Sequence, residues 1–342
     1  MPSAANNRIR LSLKGRAGEL VAEITPVGAA LRYLAIDGVE LVEPGVFDSL
    51  SPFCEGVVMA PWPNRTDGGK WTYEGRTLEL PINLHAQQNA NHGLLLDHHY
   101  EVLEQTESSV TLGALIHARL GYPFDVQTTV SYELVDGGVK VNHTAVNLSA
   151  ADAPYAVGGH PYFKIAGVDT EDLFLRSEAA TVLVVDDRQI PTGTMPTAHS
   201  RFDMRSGVRI GDNFYDHDFT DLVRDSAGMA HTYLTAPDGR GFDIWQDENF
   251  KHTVIFTPDF YFANVGEAKR YACAIEPQTS GPNSLILPFR LSPSRSTLES
   301  VCSASTKRPF FRSAPASSSS LIRGTPVNSL HDNMPWLYWA VG

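Results

Sequence analysis

The sequence has few cysteines, few basic residues relative to acidic ones, and no long apolar run. It contains three cysteines in 342 residues. This odd number at no recognisable spacing indicates neither a disulfide framework nor a zinc knuckle, and buried, reduced thiols are expected. Lysine and arginine number 27 against 39 aspartates and glutamates, for a net charge of -12. That charge argues against nucleic-acid and anionic-membrane partners, which require a basic surface, and favours a neutral small substrate.

Membrane-spanning and secreted proteins are disfavoured for a similar reason. No stretch reaches the roughly 18 apolar residues of a membrane-spanning helix, and residues 1–15 lack the continuous apolar core of a secretion signal. The cytoplasm is therefore the expected compartment. Amphipathic helical periodicity is also scarce, and the 27 glycines and 22 prolines favour many turns over long helices.

Alternation of apolar and polar residues is frequent instead. The segment 125–147 alternates on both sides of Asp136-Gly137-Gly138, which predicts a hairpin. These patterns predict an all-β protein built from packed antiparallel sheets, with few short helices. Shorter runs of the same kind lie at 71–80, 181–185, 241–245, 253–257 and 271–276.

The composition changes abruptly after Arg290. Residues 291–342 contain twelve serines and only two acidic residues, Glu299 and Asp332. We therefore expect a folded domain of residues 1–290 and a Ser/Pro-rich tail, 291–342, that is largely disordered but whose end could dock as a short strand. So abrupt a change also suggests a reading-frame change or an extension unrelated to the domain.

Two titratable residues stand among small residues in predicted strands. In 271–276, strand alternation puts Glu276 on the same face as two alanines, which leaves open space beside its carboxylate. In 155–163, His160 shares its face with an alanine and a glycine. Each could line a pocket, although a surface glutamate and a structural histidine are the commoner roles of these residue types.

Three more residues are candidates for a functional site, and the planar fork of donors of Arg65 could hold sugar hydroxyls. Arg65 lies in NRTDGGKW, His92 in NANHGLL, and Asp216 in NFYDHDF, beside aromatic residues that can stack on sugar rings. Taken alone, each also fits an ordinary structural or surface role. A zinc site of His92, His98 and His99 is not expected, because adjacent histidines in a strand point to opposite faces.

Taken in order, NRTDGG, NHG, GHPYF, YDHDF and IEPQTSGPN resemble the aldose 1-epimerase or galactose mutarotase family. The similarity extends from about Leu11 to Phe289. It implies a single large β-sandwich of the galactose mutarotase type, with the sugar in an open cleft on one sheet and a reaction without cofactor or metal. Pro277-Gln278 departs from the Thr-Gln of the animal enzymes and is closer to bacterial relatives.

The resemblance implies a role for each of the five candidate residues. Glu276 corresponds to the general base and His160 to the general acid, while Arg65, His92 and Asp216 correspond to substrate-binding residues. Such a pair interconverts the α and β anomers of a free aldohexose by opening and reclosing the ring. The nearby carboxylate is expected to favour the imidazolium form of His160.

Several alternatives remain open at this point. Asp212, Asp218 and Asp221 lie close enough in sequence to compete with Asp216. A hexose-6-phosphate 1-epimerase would need several cationic contacts, whereas Arg65 is the one plausible cation in the matched motifs, so free hexoses are expected. A non-catalytic carbohydrate-binding protein would keep the cleft alone, and a glycoside hydrolase would need two carboxylates flanking the bond. The patterns distinguish neither the preferred aldose nor the oligomeric state.

Overall fold

The computed structural model describes residues 8–16, 18–263, 266–286, 290–292 and 337–341. Nearly all regular structure in these ranges is β-strand. The first strands are β1 (Ile9–Gly15), β2 (Gly18–Thr25), β3 (Ala30–Ile36), β4 (Val39–Glu40), β5 (Val58–Met59), β6 (Arg65–Asp67), β7 (Lys70–Tyr73), β8 (Arg76–Glu79), β9 (Asn89–Asn91), β10 (Glu101–Gln105), β11 (Ser109–Ile116), β12 (Val126–Val135) and β13 (Gly138–Asn147).

The remaining strands follow the same chain order. They are β14 (Ala153–Pro154), β15 (Gly158–Gly159), β16 (Tyr162–Phe163), β17 (Phe174–Ser177), β18 (Ala179–Val185), β19 (Pro191–Pro196), β20 (Val208–Arg209), β21 (Asp216–Leu222), β22 (Ala230–Thr235), β23 (Gly241–Gln246), β24 (His252–Phe256), β25 (Cys273–Gln278), β26 (Arg290–Leu291) and β27 (Leu337–Val341). The helical segments are single 3₁₀ turns at Thr170–Asp172, Ile210–Asp212 and Ser284–Ile286. Within the described ranges, no helix is long and apolar enough to span a membrane.

Two large sheets dominate the molecule. One has nine strands in the order β10-β11-β12-β13-β27-β23-β22-β17-β20. The other has eight, in the order β19-β18-β21-β24-β25-β15-β5, with β16 also paired to β25. Strand β27 pairs parallel to both of its neighbours, and the other strand pairs in the two sheets are antiparallel. The prediction of an all-β protein made of antiparallel sheets is confirmed.

The predicted hairpin forms two neighbouring interior strands of the nine-stranded sheet. Strands β12 and β13 pair from Val126↔Asn147 to Val135↔Gly138, and Gly137 has a φ of 91°, which a glycine adopts without steric strain. The run at 71–80 forms the hairpin β7–β8, and the other predicted runs lie in β18, β23, β24 and β25.

The core lies between the two large sheets, because each contributes one apolar face. Side chains of alternate residues are buried along β12 and β13, as expected for strands covered on one side. The main hydrophobic cluster joins residues from both sheets, among them Leu112, Val130, Val141, Val182, Phe219, Ile255 and Ile275.

Strand β25 is buried along its whole length, and its two faces have different surroundings. Cys273 and Ile275 belong to the main core. Ala272, just before the strand, and Ala274 pack on the other side, against Tyr162 and other aromatic residues. The predicted division of this segment into two faces is confirmed, and Glu276 lies on the side away from the core.

The final strand, β27, completes the nine-stranded sheet. It lies between β13 and β23 and runs parallel to both, pairing with Gly138–Val141 on one side and Phe242–Trp245 on the other. The expectation that the end of the chain docks as a strand is confirmed. The expected disorder of the tail concerns mainly residues 293–336, which lie outside the described residues, and the domain division at residue 290 stays a prediction.

Removing β27 should destabilise the fold, because it would leave backbone N–H and C=O groups of β13 and β23 without partners in the middle of a sheet. Each buried group without a partner costs about 1–3 kcal/mol. We expect deletion of the residues after 336, or Ala340→Pro, to lower the melting temperature by about 5 °C or more. Leu103→Pro is the matched control, because Leu103 lies at a bulge in the edge strand β10 and is exposed. Equal melting temperatures for the three variants and the unmodified chain would contradict the pairing.

Candidate active site

The candidate site lies on the face of the eight-stranded sheet that points away from the core. Register places Asp218, Val254 and Glu276 side by side on β21, β24 and β25. Directly opposed residues in neighbouring strands project from the same face, so these three side chains share one surface. Phe256 and Ala274 form the next row on that face.

The segment that carries His160 differs from the predicted continuous strand. Strand β15 ends at Gly159 and β16 begins at Tyr162, because Pro161 has no N–H to donate. The backbone of His160 is held instead by Val57 and Gly56: its N–H donates to the Val57 carbonyl over 3.0 Å, and its carbonyl accepts from Gly56 over 2.8 Å. The imidazole packs on the Tyr162 ring, with centroids 5.4 Å apart.

The structure brings the two predicted acid–base residues together. The Nε2 atom of His160 lies 3.4 Å from Oε1 of Glu276, and the two side chains are only 7% and 3% exposed. Burial lowers the pKa of His160 to about 4, and the charge of Arg65 acts in the same direction. Burial also raises the pKa of Glu276 well above its usual range, with a further contribution from Asp216. The expectation that the carboxylate holds His160 as an imidazolium is therefore wrong for this protein without ligand, because desolvation outweighs the attraction.

A residue that the sequence reasoning did not single out orients Glu276. The side-chain amide of Gln278 donates to Oε2 of Glu276 over 3.0 Å, and this bond favours the ionised carboxylate. Gly158 makes room for this arrangement, since a Cβ there would lie 2.9 Å from Cγ of Gln278. The only sequence signal for this contact was that Gln278 lies two positions after Glu276, which puts both side chains on one face of the strand.

His92 lies beside His160 because of an unusual backbone. His92 has a φ of 60° and Gly93 a φ of 82°, and a Cβ on Gly93 would lie 2.0 Å from the carbonyl oxygen of Ala60. The N–H of Asn64 donates to Nδ1 of His92 over 3.1 Å. Burial holds the pKa of His92 well below its usual value, so the neutral ring carries its proton on Nε2. The rings of His92 and His160 are perpendicular, with centroids 5.2 Å apart.

Arg65 and Asp216 also meet at this site. Nη2 of Arg65 lies 3.5 Å from Oδ2 of Asp216, and burial raises the pKa of that carboxyl despite the opposing charge of Arg65. The side-chain oxygen of Asn64 accepts from the Arg65 backbone N–H over 2.8 Å and from Nη1 over 3.1 Å. The N–H of Asn283 donates to the Arg65 carbonyl over 2.6 Å. Neither asparagine was predicted to belong to the site.

The three aspartates that compete with Asp216 are engaged elsewhere. Asp212 pairs with Arg209, and Asp221 accepts from the hydroxyl of Thr181 over 2.6 Å. Asp218 is buried on the site face, but both of its oxygens lie 3.0 Å from Nδ1 of His252. Asp216 is the one of the four with a contact to Arg65 among the described residues.

Several buried polar atoms around the acid–base pair have no hydrogen-bond partner among the described residues. They are Nδ1 of His160, Oη of Tyr162, Oε1 of Gln278 and Nε of Arg65. Leaving such groups without a partner is costly, and four of them close together are unusual in a folded protein. A ligand rich in hydroxyl groups can both donate to and accept from such atoms.

The rest of the described structure offers neither a metal site nor a second comparable polar site. In the described part of the chain, no group of three or more His, Cys, Asp or Glu side chains is arranged to hold a metal ion. A cavity of about 490 Å³ lies elsewhere, lined by residues that include Glu43, Lys164 and Arg270. Its buried carboxylate is already satisfied, because Glu43 accepts from Arg270 over 2.5 and 2.7 Å.

Comparison with known proteins identifies relatives of the chain. The family model described as aldose 1-epimerase matches residues 11–287. The uncharacterised protein YihR of Escherichia coli K12 is 31% identical over 271 residues, which cover 78% of this chain and 83% of YihR. Galactose mutarotase of Rattus norvegicus is 28% identical over 180 residues, 48% of this chain and 51% of the rat protein.

Solved structures have the same fold. A GalM/aldose epimerase homologue from C. elegans superposes with a TM-score of 0.74 at 19% identity, covering 86% of this chain and 97% of the homologue. Galactose 1-epimerase from Lactobacillus acidophilus superposes with a TM-score of 0.68 at 19% identity, covering 88% and 95%. The family resemblance and the galactose mutarotase type of β-sandwich are thus confirmed. The chain belongs to the aldose 1-epimerase family and is accordingly an isomerase that acts on a sugar.

Proposed function

We propose that this protein interconverts the α and β anomers of a free aldohexose, with Glu276 as general base and His160 as general acid. The observation that carries the proposal is the buried contact of 3.4 Å between these two side chains. Arg65 and Asp216 lie at the same site, as does His92, and we assign them to the sugar hydroxyls. The polar atoms that lack a partner around the pair support a polyhydroxylated ligand.

The reaction needs two proton transfers. Glu276 removes the proton of the anomeric hydroxyl while His160 protonates the ring oxygen, so the C1–O5 bond breaks and an open-chain aldehyde forms. Rotation about C1–C2 presents the other face of the aldehyde. Closure then returns a proton to O1 and takes one from the C5 hydroxyl, which restores both side chains. Each positioned acid or base typically contributes about 10²–10⁴-fold.

The protonation of the pair sets the condition for activity. Without ligand, burial favours the uncharged form of each side chain, with the acidic proton on the carboxyl of Glu276 and a neutral imidazole at His160. Moving that proton across the 3.4 Å contact gives the carboxylate and imidazolium that the first step requires. Both forms carry a single proton, so the active pair is the singly protonated one.

The surroundings favour an uncharged sugar over a sugar phosphate. Four other basic side chains, which could in principle contribute to a phosphate site, have partners of their own. Lys164 pairs with Glu40 over 2.5 Å, Lys70 lies 3.6 Å from Glu79, Arg32 donates to the Glu55 carbonyl, and Arg119 donates to the His117 carbonyl. Of these five basic residues, Arg65 is the one that lies beside the acid–base pair, and Asp216 already neutralises it in part.

Loss of either acid–base group should abolish most activity. Glu276→Gln keeps the shape of the side chain but cannot accept a proton, so mutarotation of freshly dissolved α-glucose or α-galactose, followed by polarimetry, should fall by about 10²-fold or more. His160→Asn should show a similar loss. The double variant should be little worse than either single one, because both groups act in one step.

The controls for this experiment separate the alternatives. Near-normal turnover by Glu276→Gln would remove the assignment of the base. If the unmodified protein binds sugars but turns over none of them, it is a binding protein rather than an epimerase. A tenfold higher kcat/KM for glucose 6-phosphate than for glucose, about 1.4 kcal/mol of transition-state preference, would identify a phosphate-specific enzyme.

The pH profile should reveal the role of Gln278. The singly protonated pair should give a bell-shaped kcat/KM whose acid limb lies near pH 4, where His160 gains its second proton. Because the Gln278 amide favours the ionised Glu276, Gln278→Met should raise the pKa of Glu276 and move the alkaline limb to higher pH. It should also lower kcat, by about tenfold. Gln105→Met, on the exposed strand β10, is the control, and identical alkaline limbs in both variants would refute the role.

Asp216 should act mainly in sugar recognition. Asp216→Ala should raise KM by about tenfold or more, because the side chain is assigned to hydroxyl groups and holds Arg65 in place. Asp212→Ala is the matched control, since Asp212 pairs with Arg209 on an exposed turn. If KM and kcat were unchanged in Asp216→Ala, hydroxyl recognition would have to be assigned to another residue, with Asp218 next in position.

A further inference from the structure

The short ribbon β6–β9 carries one of the proposed sugar contacts but belongs to neither large sheet. Its two strands have three residues each and pair only with one another. Arg65 is the first residue of β6, and it is paired with Asn91. An isolated two-stranded ribbon is marginally stable at best, so contacts from the rest of the fold must determine where Arg65 lies.

Arg188 provides one such contact. It lies in the turn between β18 and β19, at the edge of the eight-stranded sheet. The side chain of Asp186 organises this turn, because its Oδ1 accepts from the N–H groups of Arg188 and Ile190, both over 2.9 Å. The Arg188 backbone is thus held within its own turn, independently of the contacts that its side chain makes to the ribbon.

Every nitrogen of the Arg188 guanidinium is used on the ribbon and the loop before it. Nε donates to the Gln87 carbonyl over 2.9 Å. Nη2 donates to the Gln88 carbonyl over 3.2 Å and to Oδ1 of Asn89 over 2.9 Å, and Nη1 lies 2.7 Å from Oδ1 of Asp67. The contact is reciprocal, since the Asn89 amide donates to the Arg188 carbonyl over 2.9 Å.

The two residues that Arg188 holds form one rung of the ribbon. Asp67 pairs with Asn89, two positions along from the pair that contains Arg65. On the other side, Asn283 accepts from the Asp67 N–H over 3.1 Å and donates to the Arg65 carbonyl over 2.6 Å. The ribbon is therefore held between the β18–β19 turn and the loop that follows β25.

We propose that Arg188 is a positioning residue that sets the place of Arg65 against Asp216 without touching the sugar itself. The proposal rests on the proposed function, in which Arg65 contacts sugar hydroxyls. A lysine at position 188 would keep the charge but offers one nitrogen instead of three in a planar fork, so it cannot reach all four acceptors. The ion pair with Asp67 is partly exposed and by itself contributes little. The geometry of the fork is the property that matters.

Kinetics of Arg188→Lys test the proposal. KM for the preferred aldose should rise about fivefold or more, while the pH profile of kcat stays unchanged because Glu276 and His160 lie on other elements. In an Arg65→Ala background, Arg188→Lys should change KM by less than about twofold, since the residue through which it acts is gone. Multiplicative effects of the two substitutions on KM would overturn the proposal.

Arg240→Lys is the matched control. Arg240 also follows a turn between two strands, and it donates over 3.2 Å to a distant backbone carbonyl, that of Ala166. It touches no residue of the ribbon, so its replacement should leave KM unchanged even if it lowers the melting temperature. An equal rise of KM in both lysine variants would indicate a general loss of stability and would also overturn the proposal.

Amide hydrogen exchange tests the same idea without sugar or turnover. The amides of residues 65–67 and 89–91 should exchange about fivefold faster or more in Arg188→Lys, and at the unmodified rate in Arg240→Lys. The two proposals can fail separately. If the unmodified protein turned over no aldose but the ribbon amides still exchanged faster in Arg188→Lys, the proposed function would be wrong and the positioning of the ribbon by Arg188 would be supported. Unchanged amide exchange in the ribbon of Arg188→Lys would refute the positioning role of Arg188, whatever the enzyme's activity.

Discussion

Strand β25 is buried on both of its faces, and the place of the acid–base pair depends on this constraint. Ile275 must enter the core between the sheets, so Glu276 must point the other way. Pairing with β24 fixes the register through Val254↔Glu276. A slip by one residue would put the carboxylate into the apolar core and an isoleucine into the site, so the core packing that stabilises the fold also selects the position of Glu276.

Burial on the second face has a different consequence, which is chemical. Taking Glu276 and His160 out of water disfavours both charges, which raises the pKa of Glu276 and lowers that of His160. In the proposed mechanism, such a pair reaches its reactive form by a proton transfer between its two members, without an external donor. Gln278 and Asp216 then act on the carboxyl in opposite directions, the amide favouring ionisation and the neighbouring charge opposing it.

The groups assigned to the sugar are held in another way. Arg65 and His92 lie on short segments outside the large sheets, where strand alternation gives no guarantee of direction. Asn64 and Asn283 bond to them directly, and in the proposal above Arg188 acts on Arg65 through Asp67 and Asn89. In the proposed site, the general base lies on a strand of the large sheet, whereas the residues assigned to the sugar lie on short segments outside it, a division that allows binding preferences to vary without moving Glu276.

The sequence by itself determined the all-β class, the hairpin of 125–147, the strand face on which Glu276 lies, and the family, because alternation and turn residues are local properties of the chain. Only the tertiary structure decided which aspartate meets Arg65, that Gln278 bonds to Glu276, that β27 lies between β13 and β23, and that His160 is neutral. Those outcomes depend on which distant segments pack together and on how much water they exclude. Neither quantity can be read from the residues at one position, so local patterns pointed to candidate residues but not to their partners or their charges.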